Sequence, residues 1–597
     1  AFAPDSCNQD IISFERRWID PQQTPIVYPV RRKDVKALAE EIYGKWFTPE
    51  NELPKLNEAN IPDVIQHLTL REKAMLVVGG LNEGYKGEEA IAGLTKKLVP
   101  GAAGTTIAIP RLGIPSTVMA DGPAGLRISP TRNGETRTYY ATGFPIGSSL
   151  ACTWNKALVE RVGQMIGNEV KEYGCDVILG PGMNIQRSPL CGRNFEYYSE
   201  DPVLSGNIAA AYVNGVQSQG VGTSVKHFAV NSQETDRTKT DERVSQRALR
   251  EIYLRGFEIA VKKSKPWTVM SSYNKINGVF SMENYDLLTT VLRDEWGYEG
   301  MVVTDWMSQR NTAAEVHAGN DLMMPGDTRQ MNDIIEGVKR GEISMVDLNR
   351  NVERVLRYII KTPAFHKYKA SNSPDLKAHA QVAYEAGAEG MVLLKNSDGT
   401  LPMKHVKKIA LMGANAYQLL SGGLGSGCVH SEHVSTLTEG LSANGISVTD
   451  TMSVLYKKYV DYAEDKFLQD KDIYMWFLDF GQHKYPEITH SYQTLFDESR
   501  RADAAVIVIS RQTGEGIDMQ ADSDFLLNAE ELQLIRYASD IFHQAGKPVV
   551  VVINSGNMID VSAWRDQVDA ILMAWQPGVG IGRAIADVLT GKVNPSG

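Results

Sequence analysis

Apolar and polar positions along this 597-residue chain fall into two successive rhythms. In the first, short runs rich in Val, Ile and Met alternate with stretches of helical spacing: STVMA (116–120), DVILG (176–180), TSV (223–225), TVMSS (268–272) and MVVT (301–304) read as strands, while 155–174 and 236–264 read as helices. Each strand run leads to a polar or aromatic group: Asp121, Asn184, Lys226-His227, Tyr273 and Asp305-Trp306. In a (β/α) barrel the strand C-termini open onto one face, so five such endings predict one shared pocket. The second rhythm has different spacing and near-continuous apolar strands, KKIALMG (407–413), AAVIVIS (504–510), KPVVVVINSG (547–556) and DAILMAW (569–575). Runs of that kind are covered on both faces, which predicts a mostly parallel sheet between helices.

The predicted fold class is therefore α/β: a TIM-like (β/α) barrel domain followed by an α/β sandwich domain. The expected organisation is an N-terminal arm over 1–55, a barrel over 56–362, a polar Pro- and Ser-containing linker over 363–378, and the sandwich over 379–597. Thr69-x-x-Glu72 is a capping box that opens the first clear helix. A chain this long exceeds what one hydrophobic core supports, in keeping with two domains.

Composition changes this picture little. With 43% hydrophobic and 22% charged residues and a formal charge of −10, the chain has no cationic excess for nucleic acid or an anionic membrane. No apolar run reaches the length of a membrane span. The chain starts without Met or a leader pattern, which leaves export undecided, and a homo-oligomer stays open. Five scattered cysteines form neither a disulfide framework nor a zinc motif, so buried thiols are expected.

Two carboxylates carry the candidate chemistry. Asp305 ends a strand in the first half; Glu515 lies between Gly514 and Gly516 just past a strand in the second, on backbone free to approach a ligand closely. Paired carboxyls of this kind serve glycoside hydrolysis, one attacking or stabilising an oxocarbenium-like centre and the other protonating the leaving oxygen. Asp121, Arg127, Arg193, Lys226, His227 and Arg237 offer the forks and carboxylates that pairs of sugar hydroxyls need, and Tyr273 and Trp306 the apolar face for the ring.

The motifs ADGPAGLR, GRNFEYYSEDP, KHFAVNSQETDR, MSSYNKINGV, MVVTDW, AGNDLMMPG, GMVLLKN, SGGLGSG, GEGID and WQPGVGIGRAIADVLTGKVNPSG, spread over about 60–597 in the right order, resemble glycoside hydrolase family 3 β-glucosidases. The resemblance implies a retaining active site between the two domains, with Asp305 as nucleophile and Glu515 as acid/base. It places Asp121, Arg127, Arg193, Lys226, His227, Arg237, Tyr273 and Trp306 around the sugar, and Ser426 beside Glu515. Where similar enzymes often read GEGxDR, this chain has Asp518-Met519. Similar chains often continue into a fibronectin-like domain, expected to be missing here.

The expected partner is a small carbohydrate or glucoside, with no cofactor and no metal. SGGLGSG lacks the spacing of a dinucleotide loop, and Asp518, Asp522 and Asp524 lack the register of a calcium loop and read as a solvated acidic segment. The rivals are a β-xylosidase, whose relatives tend to carry Glu for Asp121 and Cys for Trp306, an N-acetyl-β-glucosaminidase, which would show a KHFPGHG-like loop, and a non-catalytic sugar binder on the same fold. For catalysis, Asp305 is expected ionised and Glu515 protonated at acid-side pH.

Overall fold

The computed structural model describes residues 52–80, 98–308, 310–470 and 483–597, together with two strands, Ile11–Glu15 and Val27–Arg31, that pair antiparallel. The rest of the expected arm, including Cys7, lies outside the described residues.

Six strands form the first sheet in chain order: β1 (Gly104–Thr105), β2 (Val118–Asp121), β3 (Val177–Leu179), β4 (Gly222–Phe228), β5 (Thr268–Ser271) and β6 (Met301–Thr304). From β2 to β6 neighbours run parallel, while β1 is antiparallel to β2. Two single-bridge segments close the ring. Leu322 bridges Val303 of β6, Met323 bridges Val78, and the Gly80 N–H donates to Thr105 O of β1 at 2.6 Å. The result is a barrel of eight staves, two of them one bridge long and one reversed.

Alternate strand residues enter different cores, as the two-residue period of a strand requires. Met119, Val177, Leu179, Met270, Met301 and Val303 join one cluster; Val118, Ala120, Ile178, Val225, Val269 and Val302 join another. The capping box predicted at Thr69 is present at the head of Leu70–Leu76, and the helix predicted over 155–174 spans Lys156–Glu172 with Asn155 as its side-chain cap.

The second sheet has the order β7-β12-β11-β10-β8-β9, where β7 is Val392–Asn396, β8 Lys408–Met412, β9 Ser447–Val448, β10 Ala504–Arg511, β11 Val549–Ser555 and β12 Ala570–Met573. Only β7 is antiparallel to its neighbour. Its strands feed separate clusters on the two faces, Ile507, Val551 and Ile571 on one and Val506, Val550 and Leu572 on the other. This is why these runs lack polar alternation.

One element departs from the sequence reading. The stretch 236–264 is not one helix: 236–245 is a loop carrying the short strand Asp241–Glu242, and helix starts at Gln246–Ala248, passes through a π-turn over Leu249–Tyr253 and resumes at Arg255–Ser264. Charges at helical spacing suggested continuity, but Asp236 sits at φ 53 and Asp241–Glu242 pairs with Lys275–Ile276. Between the domains, Thr362 ends the helix Met345–Lys361 and the next helix, Leu376–Glu389, starts inside the stretch expected as linker. Its His379 pairs with Glu169 of the barrel at 2.7 Å, both buried. Among the described residues no helix is long and apolar enough to cross a membrane.

Candidate active site

β6 delivers Asp305 to its C-terminal end, 6% exposed. Its Oδ1 accepts the Trp306 N–H at 2.7 Å, while Oδ2 has no hydrogen-bond partner among the described residues and lies 3.6 Å from His227 Nε2. The carboxyl is thus oriented by its own chain and keeps one oxygen uncommitted. Burial pushes its pKa up; Arg193 and Arg237 oppose this and the charge of Glu515 adds to it.

His227, at the end of β4, is fixed from both sides. Its N–H donates to Asn184 Oδ1 at 2.7 Å, Asn184 Nδ2 returns a bond to its carbonyl at 2.9 Å, and its Nδ1 lies 3.1 Å from the Tyr197 hydroxyl. Burial, with Arg193 and Lys226 nearby, holds its pKa well below the usual range, so the ring is neutral. Lys226 and Arg193 share a partner, Glu196: Arg193 Nε donates to Oε1, and Lys226 Nζ lies 3.8 Å from Oε2. Asp121, at the end of β2, faces Arg127 Nη1 at 3.5 Å, and burial raises its pKa.

Glu515 arrives from the other domain. Its Oε1 is 2.9 Å from Arg237 Nη1 and 3.5 Å from Arg193 Nη1, and its Oε2 accepts the Ser426 N–H at 3.2 Å. The Ser426 hydroxyl accepts from Arg193 Nη2 at 3.3 Å. Burial alone would raise the Glu515 pKa, but Arg193, Arg237 and Lys226, with the Ser426 amide, hold it well below the carboxylate range. This is the reverse of the order expected from the sequence: in the free site it is Glu515 that is held ionised and Asp305 whose proton is held more tightly. The cause is the pair of guanidiniums on Glu515, which the sequence assigned to the sugar alone.

Every residue singled out by the sequence lies in or against this cluster. The Arg237 guanidinium stacks on Tyr273, 4.5 Å from the ring centroid. Trp306 is 4% exposed, donates its indole N–H to Ala103 O at 2.9 Å and belongs to a barrel core cluster, so its ring is held in place from the barrel side. Three participants went unrecognised. Glu196 was visible only as the Arg-x-x-Glu spacing within GRNFEYYSEDP. Glu234 accepts from Arg237 Nη1 and from the Gly516 N–H, both at 2.7 Å. Asp518, expected as part of a solvated acidic loop, instead accepts the N–H groups of Gly192 (3.0 Å), Glu234 (3.0 Å) and Thr235 (2.8 Å) from the barrel. Burial opposes its charge, yet those amides hold its pKa below the usual value.

Glycine makes the seam between domains close enough for these bonds. A Cβ on Gly192 would meet Ile517 O at 1.8 Å, and one on Gly425 (φ 83) would meet the Glu515 Cβ at 2.6 Å. Among the described residues no group of three or more His, Cys, Asp or Glu is placed to hold a metal, and Cys152, Cys175, Cys191 and Cys428 are free thiols.

The glycosyl hydrolase family 3 N terminal domain matches residues 96–358 and the family 3 C-terminal domain matches 391–597. The chain belongs to glycosyl hydrolase family 3. It is 38% identical over 552 residues to thermostable beta-glucosidase B of Acetivibrio thermocellus, covering 90% of this chain and 65% of that protein. It is 36% identical over 560 residues to an exo-alpha-(1->6)-L-arabinopyranosidase of Bifidobacterium longum, covering 91% and 66%. The chain thus spans just under two thirds of the length of these curated relatives. Among solved structures, beta-glucosidase 3B of Thermotoga neapolitana in complex with glucose superposes with a TM-score of 0.85 at 47% identity, covering 90% of this chain and 74% of that one.

Asp518→Ala removes the acceptor for three backbone amides that join the domains. Hydrogen exchange should quicken at Gly192, Glu234, Thr235 and Gly516 by about tenfold or more, one lost charge-assisted bond being worth about 1.5–3 kcal/mol. Exchange in β10 and β11 should not change; uniform acceleration through the second sheet would mean that Asp518 supports the domain rather than the seam.

Proposed function

We propose that this chain is a retaining, exo-acting β-glycosidase that removes terminal non-reducing β-D-glucosyl units. The observation that carries this reading is a set of buried polar atoms that have no hydrogen-bond partner among the described residues, on side chains that influence one another electrostatically: Asp121 Oδ2, Arg193 Nη1, His227 Nε2 and Asp305 Oδ2. Orphaned buried groups of this sort cost about 1–3 kcal/mol each, and a native fold keeps them together where a ligand satisfies them. Acceptors and donors mixed within one small space suit the adjacent hydroxyls of a pyranose. The likeness to beta-glucosidases supports the same assignment.

In the reaction, Asp305 Oδ2 attacks the anomeric carbon while Oδ1 stays on the Trp306 amide. Glu515 gives a proton to the departing oxygen and then, as carboxylate, takes one from water that hydrolyses the glycosyl ester. Neutral His227 donates or accepts a hydrogen bond without adding charge. Asp121 is the residue that distinguishes a hexose, because a carboxylate at that strand end can accept from both O4 and O6 of glucose. A pure sugar binder would gain nothing from a carboxylate held with one oxygen uncommitted.

The deciding comparison uses nitrophenyl β-D-glucoside and β-D-xyloside. A pentose leaves Asp121 without one partner, at about 1–3 kcal/mol, so kcat/KM should favour glucoside about tenfold or more, with the margin shrinking in Asp121→Ala. Equal efficiencies would remove the reason for naming glucose, and a higher value on an α-L-arabinopyranoside would move the reading toward the Bifidobacterium relative.

Glu515→Ala should lose about 10²-fold or more on disaccharides and far less on aryl glucosides whose phenol departs unprotonated. Equal losses on both would remove Glu515 from the acid role.

Asp305 must be ionised to attack, and its folded pKa is raised, so kcat/KM should fall as pH drops through a value above the ordinary 3.8. In Glu515→Gln, assayed on an activated aryl glucoside, that acid limb should move to lower pH, because a neighbouring negative charge is gone. An unmoved limb would show that the two carboxyls do not sense one another.

A further inference from the structure

Counting charge across the site shows an imbalance. Among the described residues, four cations (Arg127, Arg193, Lys226 and Arg237) and five carboxyls (Asp121, Glu196, Glu234, Asp305 and Glu515) form one network, joined pair by pair by contacts within 3.8 Å or by direct electrostatic influence. The pKa of His227 is held well below the usual range, and Asp518, bonded to three amides and in no ion pair among the described residues, stands outside the network. Buried charge without a counter-charge is expensive, so the cluster is most stable with one proton shared among its carboxyls. The pKa directions agree: burial raises Asp121, Glu234 and Asp305, while the cations hold Glu515 low.

In this arrangement the proton is therefore not on the group that must donate it. One atom controls the difference. Arg237 Nη1 lies between two carboxylates, 2.7 Å from Glu234 Oε2 and 2.9 Å from Glu515 Oε1. When it leans on Glu234 alone, Glu515 loses its nearest cation and becomes able to take the proton, with Asp305 left ionised. Glu234 is well placed for this, since its side chain is buried and its remaining bonds, from the Gly516 N–H and Asn231 Nδ2, survive the movement.

We propose that Glu234 is a positioning residue that keeps one proton inside the site and, by sharing Arg237 with Glu515, lets that proton reach Glu515 when a glycoside binds. The proposal rests on the glycosidase reading above. It also accounts for the second half-reaction. When Asp305 Oδ2 forms its bond to the anomeric carbon, the bond from that carbon to the aglycone oxygen breaks and its electron pair leaves with the aglycone. Asp305 is then an uncharged ester, four cations face four carboxylates, and the stored proton has no place in the cluster. It leaves on the aglycone or, when the aglycone departs as a stable anion, to solvent. Glu515 is thereby already ionised for the water step.

The experiment counts protons. The enzyme is mixed with a 2-deoxy-2-fluoro-β-glucoside of a phenol acidic enough to leave as its anion, in weak buffer with an indicator dye, at the pH of maximal turnover. The phenolate burst reports glycosyl-enzyme and the dye reports protons. Wild type should release about one proton per phenolate. Glu234→Gln, with four carboxyls against four cations, should give the burst with about none, and should lose about 10²-fold on glucosides of poor leaving groups while losing little on activated ones. Glu234→Asp should restore proton release. A wild-type burst without a proton, or unchanged release in Glu234→Gln, overturns the proposal while leaving the glycosidase reading intact. Absence of any burst sinks that reading and the proposal with it, and a wild-type burst without a proton overturns the proposal even where a variant does not fold.

Discussion

The site depends on the seam between the barrel loop 231–237 and the sandwich loop 513–518. Asp518 accepts three barrel amides, Glu234 accepts the Gly516 amide, and Arg237 reaches Glu515. Charged acceptors on peptide N–H groups are short and directional, which fixes backbone against backbone rather than one flexible side chain against another. The barrel alone holds Asp305, His227, Arg193 and Lys226, and the sandwich alone holds a loop with one carboxylate. Only the seam brings Glu515 and Ser426 against Arg193. The stretch 236–245 is not helical, since Asp236 sits at φ 53 and Asp241–Glu242 pairs as a strand with Lys275–Ile276.

Dense buried charge is the price of that arrangement. Taking an ion from water costs several kcal/mol even after relaxation, and mutual attraction repays this only when each group has partners in good geometry. Here partners are shared: Glu196 serves Arg193 and Lys226, and Arg237 serves Glu234 and Glu515. Sharing keeps the cluster intact yet leaves it polarisable, because a small shift of one guanidinium changes which carboxylate is best compensated. Large apolar cores under both sheets stabilise the scaffold that bears this cost.

Much of this was legible in the sequence because strands announce themselves. Val506 to Ile509 and Val549 to Ile553 can be little else, and a strand that stops on Asp305-Trp306 sets both side chains at a barrel mouth whatever follows. The two one-bridge staves were not legible. Val78 precedes Gly79-Gly80, and Leu322 to Met324 precedes Pro325, so neither segment has the length or pattern of a strand, and each is extended only because its neighbours hold it. Glu234, Glu196 and Asp518 were missed for a different reason. Their partners lie far off in sequence or in the other domain, and an acidic residue among 72 carries no mark of what it will face once folded.

The two carboxyls differ in their attachment as the tasks proposed for them require. A nucleophile must present one oxygen at a fixed point, since misplacement of an attacking atom by an ångström costs orders of magnitude in rate. Asp305 meets this at the end of a buried strand, with one oxygen held by the next amide in its own chain. An acid/base must instead change protonation twice in each cycle, so a rigid and fully satisfied setting would defeat it. Glu515 sits on a loop with an exposed glycine after it, Gly516 at φ 86, and its nearest cation is already half engaged elsewhere. Placing the fixed group on a barrel strand and the adjustable one on a stitched loop of a second domain separates the two requirements, so that neither has to be compromised within a single rigid frame.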